Sequence, residues 1–169
     1  MLYLLDLSEK KDTNSFKMKK IFREIVYILC FPYAVYLGWR KEEAFNNADW
    51  EKVIASLKSL QKVGTLSPRD LFLLGYAHSN LNRPKEALRF MEFIQTALED
   101  KDEEALRYCT HAWILYKLGD PDQARAILEH SISEGWPAHR IQWAKDFLDS
   151  IKRSEFLSDE IFRPRLSIH

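Results

Sequence analysis

The feature that most constrains this chain is a repeated pattern between Pro68 and Ile132. Two segments carry similar residue types in the same order, and matching positions are 37 residues apart, as for Asn82 and Gly119 or Ala87 and Ala124. Each segment has apolar residues at helical spacing, a short turn, and a second apolar stretch that opens near a proline. Repetition at such a period predicts an all-α solenoid, in which stacked helix pairs bury each other's apolar sides.

Small and turn-forming residues hold the pattern together. Gly75 predicts a close approach of the paired helix, and Asn82 can adopt the left-handed conformation that closes the turn. Pro84 suits the first turn of the next helix, where its missing N–H has no helical partner in any case. The first segment carries, in order, Leu74, Gly75, His78, Asn82, Pro84, Ala87 and Met91. The second carries His111, Ala112, Leu115, Gly119, Pro121, Ala124 and Leu128.

These residues resemble the tetratricopeptide repeat (TPR) family, whose unit is about 34 residues long. The resemblance covers about Ala34 to Ile151 and is most specific from Pro68 to Pro137. It implies a right-handed α-solenoid of about three helix pairs with a C-terminal capping helix, preceded by an apolar N-terminal helix. The sequence departs from the family where His78 and Leu115 occupy a position that is usually aromatic.

A weaker first unit precedes the two clear ones. Asp49 is a natural N-cap for a helix from Trp50 to Val63, and Ala34 to Asn46 would be the helix before it. Ala138 to Lys152 has one apolar face and predicts the cap that terminal solenoid helices need. The expected divisions are a flexible extension at 1–17, an apolar helix at 18–40, the TPR-like domain with its cap at 41–153, and a tail at 154–169.

An uncharged run from Ile25 to Trp39 raises the question of a membrane. Extended back to residue 21 it nearly reaches the about 20 residues that a spanning helix needs, and its tyrosines suit a membrane interface. We therefore expect residues 21–39 to tether an otherwise cytoplasmic chain to a membrane. Two alternatives stay open: a soluble helix that packs in the solenoid or mediates self-association, and a signal peptide, which the lack of a small-residue cleavage site disfavours.

The family resemblance also implies where a partner binds, because a polypeptide ligand lies across the first helix of each pair in this family. Phe72 and Cys109 make this groove more apolar than one that clamps a terminal carboxylate, so binding of a chaperone tail is not expected. The implied partner is a protein or peptide. The groove residues predicted on this basis are Arg69, Phe72, Leu73, Tyr76, Asn80, Trp113, Tyr116, Lys117 and Arg140.

Composition argues against other functions. Lys and Arg balance Asp and Glu at 25 each, whereas nucleic-acid binding usually requires a basic face. The five histidines are scattered, and no metal-binding, phosphate-binding or nucleophile motif appears, so we expect neither catalysis, a metal nor a cofactor. Cys30 and Cys109 lie in apolar runs and are expected to be buried free thiols. The charged run Glu99 to Glu104 predicts a solvated connector between units.

Overall fold

The computed structural model describes residues 30–153, together with Met18 and Ile21. Seven helices and no strand occupy this part of the chain. The extension at 1–17, most of the apolar stretch at 19–29 and the tail at 154–169 lie outside the described residues. The helices are α1 (residues 30–46), α2 (Trp50–Val63), α3 (Pro68–Asn80), α4 (Pro84–Glu92), α5 (Lys101–Lys117), α6 (Pro121–Ser133) and α7 (Ala138–Lys152).

Side-chain caps fix where most of these helices begin. The carboxylate of Asp49 accepts the N–H of Lys52 at the start of α2, as the sequence predicted. Ser67 and Asp70 form a reciprocal capping box at the start of α3, and Asp120 caps α6 through the N–H of Gln123. Each cap satisfies an amide that the helix itself leaves unpaired.

The turns between paired helices share one backbone conformation. Ala48, Asn82 and Gly119 have φ values of 53°, 56° and 87°. Each of them lies two residues before the first residue of the following helix. The left-handed conformation predicted for Asn82 is therefore confirmed, and the repeat register runs through all three helix pairs.

From α2 to α7, consecutive helices pack against each other along the chain, and α5 also contacts both α3 and α7. The first unit is α1–α2, the second is α3–α4, the third is α5–α6, and α7 caps the array. Gly75 lies where a Cβ would come within 2.8 Å of Met91 Cε and 3.2 Å of the Ala87 carbonyl oxygen. The predicted close approach at Gly75 is confirmed, because a larger side chain there would require Met91 and the adjacent α4 backbone to shift.

The acidic run at 99–104 was predicted wrongly as a connector. Asp100 caps α5, accepting the N–H groups of Asp102 and Glu103, and residues 101–104 form the first turn of that helix. Glu104 accepts bonds from the Leu98 N–H and the Arg107 guanidinium. Burial opposes ionisation of Glu104, but these bonds outweigh it and lower its pKa. The repeat spacing of 37 residues, compared with about 34 in the family, thus reflects a longer α5. Residues 93–100 form the connection between α4 and α5.

Candidate partner-binding surface

The first helices of the pairs, α1, α3, α5 and the cap α7, form a row that we call the inner row. Contacts join α3 to α5 and α5 to α7 directly. An ion pair joins α1 to α3, with Lys41 Nζ 2.7 Å from Asp70 Oδ1. Burial raises the pKa of Asp70, but the hydrogen bond and charge of Lys41 exceed that effect and lower it. The row therefore has a defined order. Ion pairs run along one end of it, and we call this group the charged seam: Lys41, Glu42, Arg69, Asp70, Asp102, Glu103 and Arg140.

Five of the predicted groove residues are buried in the folded chain. Phe72 and Leu73 are fully buried, and Tyr76 and Trp113 are only 4% and 2% exposed. Arg140 is also buried, with Nε 3.0 Å and Nη2 2.9 Å from the two carboxylate oxygens of Asp102. In this conformation these side chains hold the inner row together, and their role in partner binding stays a prediction.

Arg69 lies at the centre of the charged seam. Its guanidinium donates to Glu42 on α1, and its Nε lies 2.9 Å from Glu103 Oε2 on α5. Burial alone would lower the pKa of Arg69, but the hydrogen bonds and charges of the two carboxylates have the larger effect. The pKa of Arg69 is therefore raised above its ordinary value. The hydrogen bond from Arg140 likewise holds the pKa of Asp102 below its usual range. Arg69 is half-buried, and its charge is already matched within the chain.

The remaining predicted residues lie closer to solvent. Lys117 is exposed at the end of α5, with Nζ 5.7 Å from the centre of the Trp113 ring. Asn80 is half-buried and donates from Nδ2 to the Tyr76 carbonyl oxygen at 2.9 Å. Tyr116 is also half-buried. The structure thus brings Tyr116 and Lys117 together near the C-terminal end of α5.

Tyr116 belongs to a group of four rings on α5 and α7, which we call the aromatic cluster. Its ring centre lies 6.1 Å from that of Trp113 and 5.5 Å from that of Phe147. Trp143 completes the cluster at 5.0 Å from Phe147. The buried indole N–H of Trp143 has no hydrogen-bond partner among the described residues. Trp113 and Tyr116 were predicted from the sequence as groove residues, whereas Phe147 was predicted only as part of the apolar face of α7.

Residues 105–134, which cover most of α5 and all of α6, match a family model described as a tetratricopeptide repeat. The chain contains a tetratricopeptide repeat. No curated protein and no solved structure gives a significant match to the chain. The TPR match falls on the third unit, and its neighbours α4 and α7 pack on either side of it.

An open cleft that the sequence did not predict lies beside the TPR unit. It has a volume of about 920 Å³ and is formed at the N-terminal ends of α3, α5 and α7 with the connection before α5. Its walls include Arg69, Leu98, Asp102, Glu103 and His139. Three distant segments supply these residues, so no single sequence motif marks the cleft. Most of its charged groups are engaged in the seam described above.

The outer end of α1 is apolar and exposed. Five of its large apolar side chains are between 49% and 61% exposed: Phe31, Tyr33, Val35, Tyr36 and Trp39. None of the helices in the described part of the chain combines the length and apolar character needed to cross a membrane. The tether predicted at 21–39 falls partly on residues 22–29, which lie outside the described residues.

The TPR unit also places two ionisable groups in apolar surroundings. Cys109 is fully buried, as predicted, and burial raises the pKa of its thiol to about 12. Burial together with the charge of Arg107 lowers the pKa of His111 to about 4. Cys30 is half-buried rather than buried. In the part of the chain that the structure describes, no three His, Cys, Asp or Glu side chains lie together so as to hold a metal ion.

Proposed function

We propose that the chain is a non-enzymatic adaptor that binds a polypeptide segment along the inner row of a right-handed TPR solenoid. The observation that carries this proposal is the aromatic cluster with Lys117 at its edge. Aromatic side chains supply large contact area at low entropic cost, and they are the residues that most often anchor protein interfaces. A half-buried tyrosine beside an exposed lysine provides one apolar contact and one charged contact in the same place.

The chemistry of this surface favours a partner segment with an apolar or aromatic side chain next to an acidic one. The apolar side chain would contact Tyr116 and Trp143, and the carboxylate would pair with Lys117. Asn80, on the neighbouring helix of the row, offers an amide for the backbone of an extended peptide. The predicted residues Arg69, Phe72, Leu73, Tyr76, Trp113 and Arg140 would support this surface from beneath, because their side chains are buried or ion-paired.

Selection of random peptides displayed on phage against the full chain tests the proposal. We expect enrichment of peptides that pair an aromatic or aliphatic residue with Asp or Glu. Lys117→Glu should weaken binding of the selected peptides about tenfold, since it replaces an attraction with a repulsion. Lys101→Glu is the matched control, because it makes the same charge change in the same helix at its exposed other end. Equal binding by the two variants would contradict the proposal.

We also propose that the N-terminal apolar region, residues 21–39, attaches this adaptor to a membrane and so sets its location. The exposed apolar side chains of α1 support this attachment, since monomeric proteins rarely expose such a group without a binding role. The alternative is a soluble scaffold whose N-terminal helix packs on the solenoid or joins two copies. Buried Leu37 and Ala44 in the same helix support packing of its other side.

A further inference from the structure

One side of α1 carries a continuous apolar stripe. Pro32, Val35, Tyr36 and Trp39 are spaced at i, i+3, i+4 and i+7, which places them on one helical face. Val35, Tyr36 and Trp39 are 55%, 49% and 61% exposed. We call these four residues the α1 stripe. Isolated exposed apolar residues are common, but a stripe of this kind marks an interaction surface.

The opposite side of α1 is held by the solenoid. Leu37, Lys41 and Ala44 are buried, and Lys41 is ion-paired with Asp70 on α3 at 2.7 Å. Phe45 contacts Trp50 edge to face, with 5.7 Å between ring centres. Turning the α1 stripe towards the core would break these contacts and expose the residues that make them. The stripe is therefore presented outward by the fold itself.

The sequence that leads into the α1 stripe is mainly basic. Lys17, Lys19, Lys20 and Arg23 precede it and Glu24 is the one acidic residue among them, although the whole chain has a formal net charge of zero. Arg40 is exposed directly after Trp39. Each basic residue near an anionic lipid surface strengthens binding about fivefold. A second copy of the chain would instead bring two basic segments together, which like-charge repulsion disfavours.

We propose that the α1 stripe lies in the headgroup region of an anionic membrane, parallel to the surface, with Tyr36 and Trp39 at the boundary between lipid and water. This inference rests on the membrane attachment proposed above and gives it a geometry and a lipid class. Tyrosine and tryptophan favour that boundary because each has an apolar ring and a polar group. An interfacial helix needs only one apolar side, whereas a spanning helix must be apolar all round.

Vesicle flotation of the full chain tests this proposal. We expect binding to phosphatidylcholine vesicles that contain about 30% phosphatidylserine, and at least about tenfold weaker binding to pure phosphatidylcholine. Raising the salt from about 0.1 M to 0.5 M should weaken binding to the anionic vesicles as well. The triple variant Val35→Gln/Tyr36→Gln/Trp39→Gln should lose at least about tenfold in vesicle binding, because it removes most of the apolar contact.

Phe93→Gln is the matched control, since Phe93 is 65% exposed after α4 but lies outside the α1 stripe. It should bind vesicles like the original chain. Equal binding to charged and neutral vesicles would overturn the choice of anionic lipid. No vesicle binding at all, or a dimer in light scattering that the triple variant converts to a monomer, would overturn the proposal. Binding of selected peptides by the triple variant separates this outcome from failure of the adaptor function.

Discussion

The second and third units, α3–α4 and α5–α6, have the same backbone plan but differ in their buried chemistry. Their turns at Asn82 and Gly119 both have positive φ, and the alanines at the next helix contact, Ala87 and Ala124, are both fully buried. The side chains of the first helix differ between the units, as in the pairs Leu73 and Thr110, Leu74 and His111, Gly75 and Ala112, and His78 and Leu115. Small residues and turns therefore preserve the repeat, while the residues between them vary.

The first helix of each of these units accommodates one histidine, but at a different place along the helix. His78 is buried and stacks on Phe90 with 5.4 Å between ring centres, and neither ring nitrogen has a hydrogen-bond partner among the described residues. His111 occupies the position equivalent to Leu74 and is less buried than Leu74. Exchanging residues between the units tests whether each site is adapted to its own side chain.

The largest effect is expected from Leu74→His, which copies the third unit into the second. Leu74 is fully buried, so the change removes apolar contacts and places an imidazole in a site without partners. We expect the free energy of unfolding to fall by about 3 kcal/mol, measured by urea denaturation followed by circular dichroism. The reverse change, His111→Leu, should not destabilise the chain. A loss below about 1 kcal/mol for Leu74→His would mean that the two sites are interchangeable.

The two histidines should also make the fold sensitive to mild acid. Burial lowers the pKa of His78, and it lowers that of His111 to about 4 together with Arg107, so both are neutral in the folded chain near neutral pH. In the unfolded chain, histidine side chains bind protons below about pH 6.5. The contribution of the neutral histidines to stability is therefore complete above that pH and is lost as the pH falls towards 4. For His111 alone we expect a loss of about 2 kcal/mol by pH 5.

Urea titrations between about pH 7.5 and 5 measure this loss, in a range where the ion-paired carboxylates remain charged. The variant His78→Leu/His111→Leu should show a flatter dependence on pH than the original chain. His130→Gln, which changes an exposed histidine, is the control and should leave the pH dependence nearly unchanged. A double variant with the original slope would show that other groups cause the acid sensitivity.

A smaller effect is expected from exchanging the close helix contact. Gly75→Ala places a methyl group against Met91 and the Ala87 carbonyl, which outweighs the gain in helix propensity, and we expect a net loss of about 1 kcal/mol. The third unit pairs Ala112 with Leu128 instead. Adding Met91→Leu should therefore recover most of the loss. A double-mutant cycle over Gly75 and Met91 that shows no coupling energy would contradict this explanation.

The smallest effect is expected at Thr110, the counterpart of Leu73. Its hydroxyl is fully buried and has no hydrogen-bond partner within the described residues. Thr110→Val keeps the shape and removes the unpaired polar group, so we expect the thermal midpoint to rise by an amount equivalent to about 0.5–1 kcal/mol. Thr65→Val, at an exposed position between α2 and α3, should leave the midpoint unchanged. A lower midpoint for Thr110→Val would show that the hydroxyl does find a partner.

Much of the fold could be predicted because its determinants are local. The cap at Asp49, the left-handed turn at Asn82 and the close contact at Gly75 each depend on residues within a few turns of helix. The charge run at 99–104 was misinterpreted because a solvated connector and a helical first turn have the same composition. What distinguishes them is the cap at Asp100 and the partners of Glu104, which only the packed chain supplies.

The candidate site was harder to predict, since periodicity tells which side of a helix a residue is on but not how deeply its neighbours cover it. Phe72 and Trp113 were predicted at groove positions of the repeat, yet adjacent helices bury them. Arg69 and Glu103 are 34 residues apart, and Arg140 and Asp102 are 38 apart. A single sequence does not reveal such pairs, because it gives the type of each charged residue but not whether its side chain is ion-paired or solvated.

Arg69 has a consequence for how the array comes apart. Stacked repeats ordinarily lose their units from an end, since each unit holds only to the one beside it. The single guanidinium of Arg69 reaches both Glu42 on α1 and Glu103 on α5, and so connects helices on either side of its own. Detachment of α1 would remove Glu42 from Arg69, and the guanidinium would then be less firmly positioned against Glu103 on α5. We expect fraying at the N-terminal end to weaken the contact between α3 and α5 as well, which would make unfolding of the array more cooperative.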